Sequence, residues 1–362
     1  MSLPIYFAPL EGVTDTVYRQ VHHAHFTGPD KYFIPFISPT QNLVLTPRER
    51  RNVDPQANAG VFAVPQVLTR NPEHFLWAAR LLHDLGYEEI NLNAGCPSGT
   101  VTSKGKGAGL LLRPQELDSF LDAVFSAVPV RVSVKTRIGF FSPDEFDELL
   151  EVYSRYPIHE LIIHPRVRAE FYSKVPHLDC FEMAYDYYCR PANCAGSTDS
   201  GNFSTELCYN GDIVSLDCYH TIKEHFPALQ NIMIGRGLLS HPGLAAQIKA
   251  GLSSADPSVC SAGLSAGFVE YGHVTASLEY REQLREFHDE IFAGFLSIFS
   301  GEKDAMLHMK EIWGFLGDSF ADSDRILKQI RKSQSYAEYK VIVDELFRNP
   351  DRFPVLLPSF GR

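Results

Sequence analysis

Residues 89–97 read EINLNAGCP, a short β-rich run at residues 89–94 followed by a Gly-Cys-Pro turn. Seven further runs of this kind occur along the chain, at residues 5–10, 32–37, 61–68, 130–136, 161–164, 207–209 and 232–235. Most of the intervals between them carry apolar residues three and four positions apart, which is typical of helices. This alternation predicts an α/β fold with a parallel sheet covered by helices, and the count of eight runs favours a (β/α)8 TIM barrel. No G-x-G-x-x-G follows the first run, so the main sign of an open dinucleotide-binding sheet is lacking.

The length of the chain leaves room for more than a barrel. With 362 residues, 44% of them hydrophobic, two domains are expected. We predict that residues 1–250 form the barrel and that residues 251–267, rich in Ser, Ala and Gly, form a linker. Residues 268–362 then form a second domain.

This second domain is predicted to be all-helical. Leu284, Phe287 and Ile291 begin the first of three apolar helical periods, and no strand signal interrupts them. Ser323 and Ser335 occupy positions that suit helix N-caps. The pattern predicts a small antiparallel helical bundle.

Charge and cysteine content limit the classes of function. The formal net charge of −11 argues mildly against a nucleic acid partner. The seven cysteines are irregularly spaced, so they indicate no disulfide framework, and without a C-x-x-C pair we expect no metal site. No basic segment leads into a long apolar run, so we expect no signal peptide and no membrane span, and we predict a cytoplasmic protein.

Polar residues follow the predicted strands at their C-terminal ends, where TIM barrels carry their active sites. In chain order the motifs are APLEGVTD at residues 8–15, NLNAGCPS at 91–98, KTRIG at 135–139, NGDI at 210–213 and MIGRG at 233–237. Together and in this order they resemble the tRNA dihydrouridine synthase family over residues 1–250. Two further segments, KEIW at 310–313 and RILK at 325–328, are similar to that family's helical tRNA-binding domain.

The resemblance implies an FMN-dependent enzyme that reduces the C5–C6 double bond of a D-loop uridine in tRNA with hydride from NADPH or NADH. The implied partners are tRNA and the nicotinamide cofactor. The sequence does not show which uridine is modified or which nicotinamide cofactor is used. The oligomeric state is also open, with a monomer expected.

Two glycine-containing turns are candidates for a cofactor site. Gly235-Arg236-Gly237 follows the eighth predicted strand, where unobstructed backbone N–H groups and a guanidinium suit the phosphate of FMN. Asn210-Gly211-Asp212 follows the seventh strand and is either part of this site or a plain turn. By resemblance, further flavin contacts are assigned to Pro9, Leu10, Glu11, Gln66, Lys135 and His164. The last two would lie near flavin N1 and O2, where reduced flavin gathers negative charge.

Cys96 is the candidate catalytic residue. Reduction of uracil resembles a conjugate addition, in which hydride reaches C6 and a positioned acid protonates C5. A thiol with a pKa of about 8.5 is mostly protonated at neutral pH and suits this role, the alternative being a buried structural cysteine. Asn93, by resemblance, helps to hold the base or the flavin, and Arg137 is a candidate for binding the uracil carbonyls or a phosphate.

Basic residues gather at the predicted mouth although the whole chain is acidic. Lys104 lies in a glycine-rich segment after Cys96, and other basic residues follow it or the strand ends: Lys106, Arg113, Arg166, Arg168 and Lys174. A second set recurs on one predicted helix: Arg325, Lys328, Arg331 and Lys332. We predict that Lys104, Arg325 and Lys328 bind tRNA, whose target base must be splayed out of its stack. The alternative for the helix is a solvated face.

Residues 165–205 depart from the family pattern. Val167 stands where relatives usually have Thr, and residues 176–202 form a longer insertion whose role the sequence does not show. Two other functions therefore stay open at this point. One is an FMN barrel that acts on a free pyrimidine, as dihydroorotate dehydrogenases do, and the other is a non-catalytic RNA-binding barrel.

Overall fold

The structure is a computed structural model that describes residues 3–189, 204–253, 278–320 and 323–349. In this part of the chain, eight parallel strands close into a barrel in sequence order, with β8 paired to β1. The strands are β1 Ile5–Phe7, β2 Lys31–Ile37, β3 Ala63–Val67, β4 Glu89–Ala94, β5 Arg131–Arg137, β6 Glu160–His164, β7 Glu206–Tyr209 and β8 Asn231–Ile234. The predicted (β/α)8 barrel is confirmed.

Helices lie between the strands and after the barrel. Those of the barrel are α1 Thr16–His25, α2 Pro47–Asn52, α3 Pro72–Asp84, α4 Gly99–Thr102, α5 Pro114–Phe125, α6 Phe146–Ser154, α7 Leu178–Tyr188, α8 Leu216–His225, α9 Arg236–Ser240 and α10 Leu244–Ser253. The C-terminal helices are α11 Leu278–Ile298, α12 Glu302–Leu316, α13 Ser323–Lys332 and α14 Tyr336–Arg348. Short 3-10 turns span Gly107–Leu112, Pro143–Glu145, Arg168–Glu170 and Gly317–Ser319.

The alternation of side chains along β4 shows how the barrel is filled. Its apolar residues belong to the large buried cluster between strands and helices: Ile90, Leu92 and Ala94. The residues of opposite parity, Glu89, Asn91 and Asn93, form hydrogen bonds inside the barrel. A smaller apolar cluster fills the rest of the interior: Tyr6, Ala8, Phe33, Val64, Ile162, Cys208 and Met233. A polar column on β4 therefore runs beside an apolar filling, from the floor at the strand N-termini to the mouth at the strand C-termini.

The C-terminal helices pack on the barrel through α1 and α11. The ring of Phe287 lies edge-on to Tyr18 and Phe26, with centroids 5.5 and 5.2 Å apart. Gly294 of α11 lies so close to Val17 that an added Cβ would collide with the valine side chain. The buried apolar cluster is continuous across this contact. The division into two domains stays a prediction, but the two parts share one core.

Further along, α12 runs beside the barrel mouth. A Cβ built on Gly12, in the loop after β1, would lie 3.4 Å from Glu311 Oε2. The same helix packs against α9, which follows β8, and α13 packs against α12. The helical part therefore stands next to the β8 and β1 side of the mouth.

Some predicted boundaries differ from the structure. Residues 251–253 of the predicted linker belong to α10, and residues 254–267 lie outside the described residues. Ser335 caps α14 as predicted, because its side chain accepts from Glu338 N, whereas Ser323 is the first residue of α13. None of the helices within the described ranges combines the length and the apolar character needed to cross a membrane.

Candidate active site

The ends of five strands bring most of the predicted site residues to the mouth. Gln66 of β3 and Asn93 of β4 are joined by a hydrogen bond of 2.7 Å. Cys96 and Lys135 lie close enough to affect each other's pKa. His164 of β6 is likewise within the electrostatic reach of Lys135 and of Arg236 after β8. Residues far apart in sequence thus converge at one end of the barrel.

A one-way chain of hydrogen bonds leads inward from the turn that carries Cys96. The backbone N–H groups of Gly95 and Cys96 donate to Asn93 Oδ1 at 3.1 and 2.9 Å. Asn93 Nδ2 then donates to Gln66 Oε1 at 2.7 Å. Gln66 Nε2 in turn donates to Asn91 Oδ1 at 2.7 Å. The turn is therefore tied to side chains that lie deeper in the barrel.

The chain ends at a carboxylate near the barrel floor. Asn91 Nδ2 donates to Ser133 Oγ at 2.9 Å, and the Ser133 hydroxyl donates to Glu89 Oε1 at 2.7 Å. A backbone N–H can only donate and a carboxylate can only accept, so the two ends fix the direction of every bond between them. The Gln66 amide therefore turns its oxygen towards Asn93 and its nitrogen towards Asn91, and one of its two N–H groups has no partner among the described residues.

Cys96 lies in a tightly packed turn and keeps its proton at neutral pH. Burial raises the pKa of its thiol, while a hydrogen bond from the Ser98 backbone and the charges of Arg137 and Lys135 act in the opposite direction. The Cys96 carbonyl accepts from Ala108 N at 3.0 Å. Cys96 is free of a disulfide and partly exposed. The geometry is therefore that of a fixed, protonated thiol that a substrate can reach.

Lys135 brings a positive charge to the site. Burial and the nearby charge of Arg137 lower the pKa of Lys135 to about 8. It forms no ion pair or hydrogen bond with any residue that the structure describes. A desolvated ammonium without a counter-ion suits a ligand on which negative charge develops.

His164 is a neutral hydrogen-bond donor. Burial lowers the pKa of its imidazole well below the ordinary value, and the charges of Arg137 and Lys135 add to this effect. Its Nε2 lies 3.0 Å from Arg166 Nη1. Because a guanidinium can only donate, Nε2 is the acceptor and Nδ1 carries the proton. The histidine thus offers an N–H group without a positive charge.

The loops after β7 and β8 form a narrow cradle in which only glycine fits at two positions. A Cβ on Gly211 would collide with the Tyr209 hydroxyl, and a Cβ on Gly237 would collide with the Ile213 carbonyl. Gly235 directly precedes α9, so the first two N–H groups of that helix have no partner within it. These N–H groups and the positive end of the helix suit a phosphate.

The polar residues of this cradle are mostly engaged with one another. The Asp212 carboxylate accepts from Arg236 Nη2 at 2.6 Å and from both terminal nitrogens of the buried Arg166. Asn210 Nδ2 donates to the Met233 carbonyl at 2.8 Å and joins β7 to β8. Asp212 therefore orients two guanidinium groups, and Asn210 holds the strand ends together.

Arg137 is placed differently from what its predicted role suggests. Its Nε donates to the Gly95 carbonyl at 2.9 Å, and its Nη1 donates to the carbonyls of Val167 and Phe171 at 3.1 and 2.8 Å. The side chain is almost completely buried. Arg137 thus clamps the loop after β6 to the Cys96 turn, and its contact with uracil stays a prediction.

The first loop and Lys104 lie at the edge of the mouth. Pro9 and Leu10 are half-buried, and Leu10 packs against the apolar cluster of the barrel interior. Glu11 forms an exposed ion pair of 2.9 Å with Arg48. Lys104 is exposed after α4. The structure places these residues on the rim rather than deep in the site.

The basic residues of α13 form an exposed face. Arg325 and Lys328 point to solvent, whereas Ile326, Leu327 and Ile330 are buried against the other helices. Neither basic residue forms an ion pair with an acidic residue in the described ranges. This face belongs to the helical part and lies outside the barrel mouth itself.

Tyr172 is a mouth residue that the sequence reasoning missed. Its half-exposed ring stacks on His164, with centroids 5.7 Å apart, and the guanidinium groups of Arg236 and Arg137 lie 4.7 and 5.2 Å from its centroid. In the sequence, Tyr172 follows Arg166 and Arg168 after β6, and an aromatic residue among arginines at a strand end is a pattern that indicates a binding surface. Asn91 was also missed, although the alternation of polar and apolar residues along β4 predicts that its side chain points into the barrel with that of Asn93.

The insertion contributes α7, and residues 190–203 lie outside the described residues. Burial raises the pKa values of Cys180 and Cys189 to about 11. The described parts of the chain contain no group of three or more His, Cys, Asp and Glu side chains arranged to hold a metal. Cys194 is one of the residues outside these parts.

Comparison with known proteins shows which family the chain resembles. Residues 6–305 match the family described as dihydrouridine synthase. A probable tRNA-dihydrouridine synthase of Staphylococcus aureus is 30% identical over 240 residues, which cover 65% of this chain and 68% of the relative. The tRNA-dihydrouridine(16) synthase of Pseudomonas putida is 30% identical over 263 residues, which cover 70% of this chain and 76% of the relative.

Solved structures are more distant. Morphinone reductase is 13% identical with a TM-score of 0.47, covering 69% of this chain and 87% of its own. A variant of NCR from Zymomonas mobilis is 14% identical with a TM-score of 0.44, and the match covers 68% of this chain and 86% of that variant. These likenesses are too weak to bear on activity. The sequence match, in contrast, spans the barrel with all five motifs and reaches into α12. The chain therefore belongs to the dihydrouridine synthase family.

Proposed function

We propose that this protein is a tRNA-dihydrouridine synthase that holds FMN at the barrel mouth and uses NADPH or NADH as reductant. As a member of the family, the chain is an oxidoreductase that acts on uridine in tRNA.

The loops after β7 and β8 would hold the phosphate of FMN. Their close glycines bring the two loops together, and the N–H groups at the start of α9 that have no partner within the helix would face the phosphate. Arg236, oriented by Asp212, adds a nearby positive charge. One phosphate site of this kind fits FMN better than a dinucleotide.

The ring of the flavin would lie across the strand ends. Gln66 offers one N–H group whose direction is fixed by Asn93 and Asn91. Lys135 offers a cation, and His164 offers a neutral N–H group. When bound, FMN supplies the hydride that adds to C6 of the uracil ring. Lys135 and His164 would stabilise the negative charge that the reduced ring carries.

Cys96 would complete the reaction by giving its proton to C5 of the base. The thiol proton forms the new C5–H bond, and the S–H electron pair stays on sulfur as a thiolate, which solvent reprotonates. This role requires a thiol that is protonated and held in place. Its raised pKa and its anchored turn meet both requirements, and this is the observation that carries the proposal.

The exposed basic face of α13 would bind the phosphate backbone of tRNA beside the mouth. Its side chains are unpaired among the described residues, and the neighbouring α12 lies next to the loop after β1. Charged contacts of this type set affinity and orientation rather than sequence preference.

Two measurements test the proposal. Mass mapping of tRNA from cells that lack the protein should show uridine in place of dihydrouridine at a D-loop position, restored by the wild-type chain. The purified protein should release FMN on denaturation and should reduce a tRNA transcript, but it should neither reduce free uracil nor oxidise dihydroorotate. Release of FAD, absence of flavin, or an unchanged dihydrouridine content would overturn it.

A further inference from the structure

Four residues form a contiguous patch at the edge of the mouth, on the loops after β5 and β6: Phe140, Phe141, Arg168 and Phe171. We refer to this patch as the aromatic rim. The rings of Phe140 and Phe141 are in T-shaped contact, with centroids 4.7 Å apart. The Arg168 guanidinium lies 5.1 Å from the Phe140 ring and 5.0 Å from the Phe171 ring. The arginine therefore joins aromatic side chains of two loops.

Two of these rings are open to solvent. Phe141 is 69% exposed and Phe171 is 43% exposed. The protein gains little from burial of Phe141, whereas Phe171 is only partly buried. Arg168 forms no ion pair with an acidic side chain of the described residues, since the adjacent Glu170 bonds to His177 and to Val167 N. The rim thus presents aromatic faces together with an uncompensated positive charge.

The backbone at Phe171 is also strained. Its φ of 52° lies in the left-handed region that favours glycine, and its ψ is −97°. Hydrogen bonds to Arg137 and Arg168 hold it there, because its carbonyl accepts from Arg137 Nη1 at 2.8 Å and its N–H donates to the Arg168 carbonyl at 3.2 Å. A glycine would relieve the strain and remove the exposed ring. A phenylalanine here serves something other than stability.

The rim is attached to the turn that carries Cys96. Arg168 Nε donates to the Pro97 carbonyl at 3.0 Å, and Arg137 binds both the Gly95 and the Phe171 carbonyls. Whatever the rim binds is therefore held at a fixed position relative to the thiol.

We propose that the aromatic rim is a stacking surface for an unpaired nucleotide of the tRNA next to the target uridine. Single-stranded RNA is recognised through bases stacked on aromatic rings and on guanidinium planes, and its phosphates complement the charge of Arg168. The surface would keep the strand open after the target base has left its stack. This inference rests on the proposed activity on tRNA.

The test compares Phe171→Gly and Phe141→Ala with the matched control Phe62→Ala. Phe62 is 57% exposed but precedes β3, at the opposite end of the barrel. For each holoenzyme, KM and kcat with a tRNA transcript, the rate of flavin reduction by NADPH and the melting temperature are measured. Loss of a base stack should raise KM for tRNA roughly tenfold in both rim variants, with kcat, flavin reduction and the control unchanged.

The melting temperature separates this role from a structural one. Phe171→Gly should melt close to the wild type, because relief of the strain offsets the loss of a partly buried ring, and Phe171→Trp, which keeps an aromatic face, should keep the KM of the wild type. Rim variants with unchanged KM, or variants that lose flavin or melt early, would refute the stacking role. A wild-type enzyme that forms no dihydrouridine would instead refute the proposed function.

Discussion

Cys96 keeps its proton at neutral pH although two positive side chains lie nearby. Burial raises the pKa of the thiol and outweighs the opposing effects of the Ser98 backbone, Arg137 and Lys135. His164 is neutral for a related reason, since burial and the same charges lower its pKa. The site therefore holds a protonated thiol, a neutral imidazole and one ammonium, and each has a distinct use in a reduction.

The first residue-scale prediction concerns Cys96→Ala. The variant should bind flavin and be reduced by NADPH at the wild-type rate, because hydride transfer to the flavin needs no thiol. Reoxidation by tRNA should slow by about 10² to 10⁴, the usual loss when a positioned acid is removed. Stopped-flow absorbance measures the two half-reactions separately. A variant that is reoxidised by tRNA as fast as the wild type would exclude the acid role.

The second prediction concerns Lys135→Met, which removes the uncompensated charge. Reduced flavin should lose stabilisation, so the midpoint potential at pH 7 should fall by about 30 to 60 mV. Lys135 has a pKa of about 8 and carries its charge below that pH. The difference between wild type and variant should therefore shrink as the pH rises past that value.

Spectroelectrochemical titration at pH 7 and pH 9.5 measures this difference. Lys104→Met removes an exposed charge after α4; it is the matched control and should leave the midpoint potential unchanged. Equal potentials for Lys135→Met and the wild type at pH 7 would place Lys135 away from the ring.

The sequence identified individual mouth residues but not their partners. Positions in the predicted strands fix which strand end carries Gln66, Cys96 or His164, because strand order determines a barrel mouth. These positions do not show that the Arg137 guanidinium donates hydrogen bonds to three backbone carbonyls. Nor do they show that Asp212 pairs with Arg166 and Arg236. Such contacts depend on loop conformation, and loops lack the regular spacing of apolar residues by which strands and helices are recognised in a sequence.

Among the elements, α13 shows a clear separation of faces, with apolar residues buried and basic residues exposed. Lys310 of α12 donates to the carbonyl of Ser333 at 2.6 Å and so caps the C-terminal end of α13. The basic face is therefore held firmly while its side chains remain in solvent.

The element-scale prediction is that Arg325→Ala with Lys328→Ala weakens tRNA binding and flattens its dependence on salt. The slope of log affinity against log salt should fall by roughly one unit per lost phosphate contact. Arg131→Ala, which removes an exposed arginine at the barrel floor, should leave the slope unchanged. Fluorescence anisotropy at several salt concentrations provides the slopes, and identical slopes in both variants would make α13 a solvated face.

Strands and helices were predictable because each has its own apolar period. The strand at residues 89–94 was predicted with its exact bounds, and the others lie within three residues of theirs. The end of α10 was missed since Gly251 suggested a linker while the helix continues to Ser253. Gly251 lies against the Leu216 side chain of α8, and this tertiary contact outweighs the local preference.

At the scale of the whole molecule, barrel and C-terminal helices share one apolar cluster. Polar contacts also join α11 to the barrel: His25 Nε2 of α1 lies 3.0 Å from Glu290 Oε2, and Tyr280 shares a hydrogen bond of 2.8 Å with His241, which follows α9. Charge is distributed unevenly over the molecule. The whole chain has a formal net charge of −11, yet basic residues gather at the barrel mouth. A sum over the sequence cannot show this arrangement, but motif positions can.

The whole-molecule prediction is that both parts unfold in one transition. The two tryptophans report on them separately, because Trp77 belongs to α3 and Trp313 to α12. Trp313→Phe and Trp77→Phe leave one reporter each, and in each variant the midpoint from tryptophan fluorescence should equal the midpoint from far-UV circular dichroism. Adding Phe287→Ala should lower both midpoints together, since truncating a buried Phe typically costs about 3 to 5 kcal/mol.

Two separate midpoints, or a Phe287→Ala effect seen by one reporter only, would contradict a shared core.

The packing of α11 on α1 also has a consequence for the time course of synthesis. Tyr18 leaves the ribosome long before Phe287, and at roughly 5 to 20 residues per second the interval lasts about 13 to 54 s. During this interval the apolar face of α1 has no α11 to cover it. We therefore expect the nascent barrel to depend on chaperones until α11 has emerged, and the final compact state to form only late in translation.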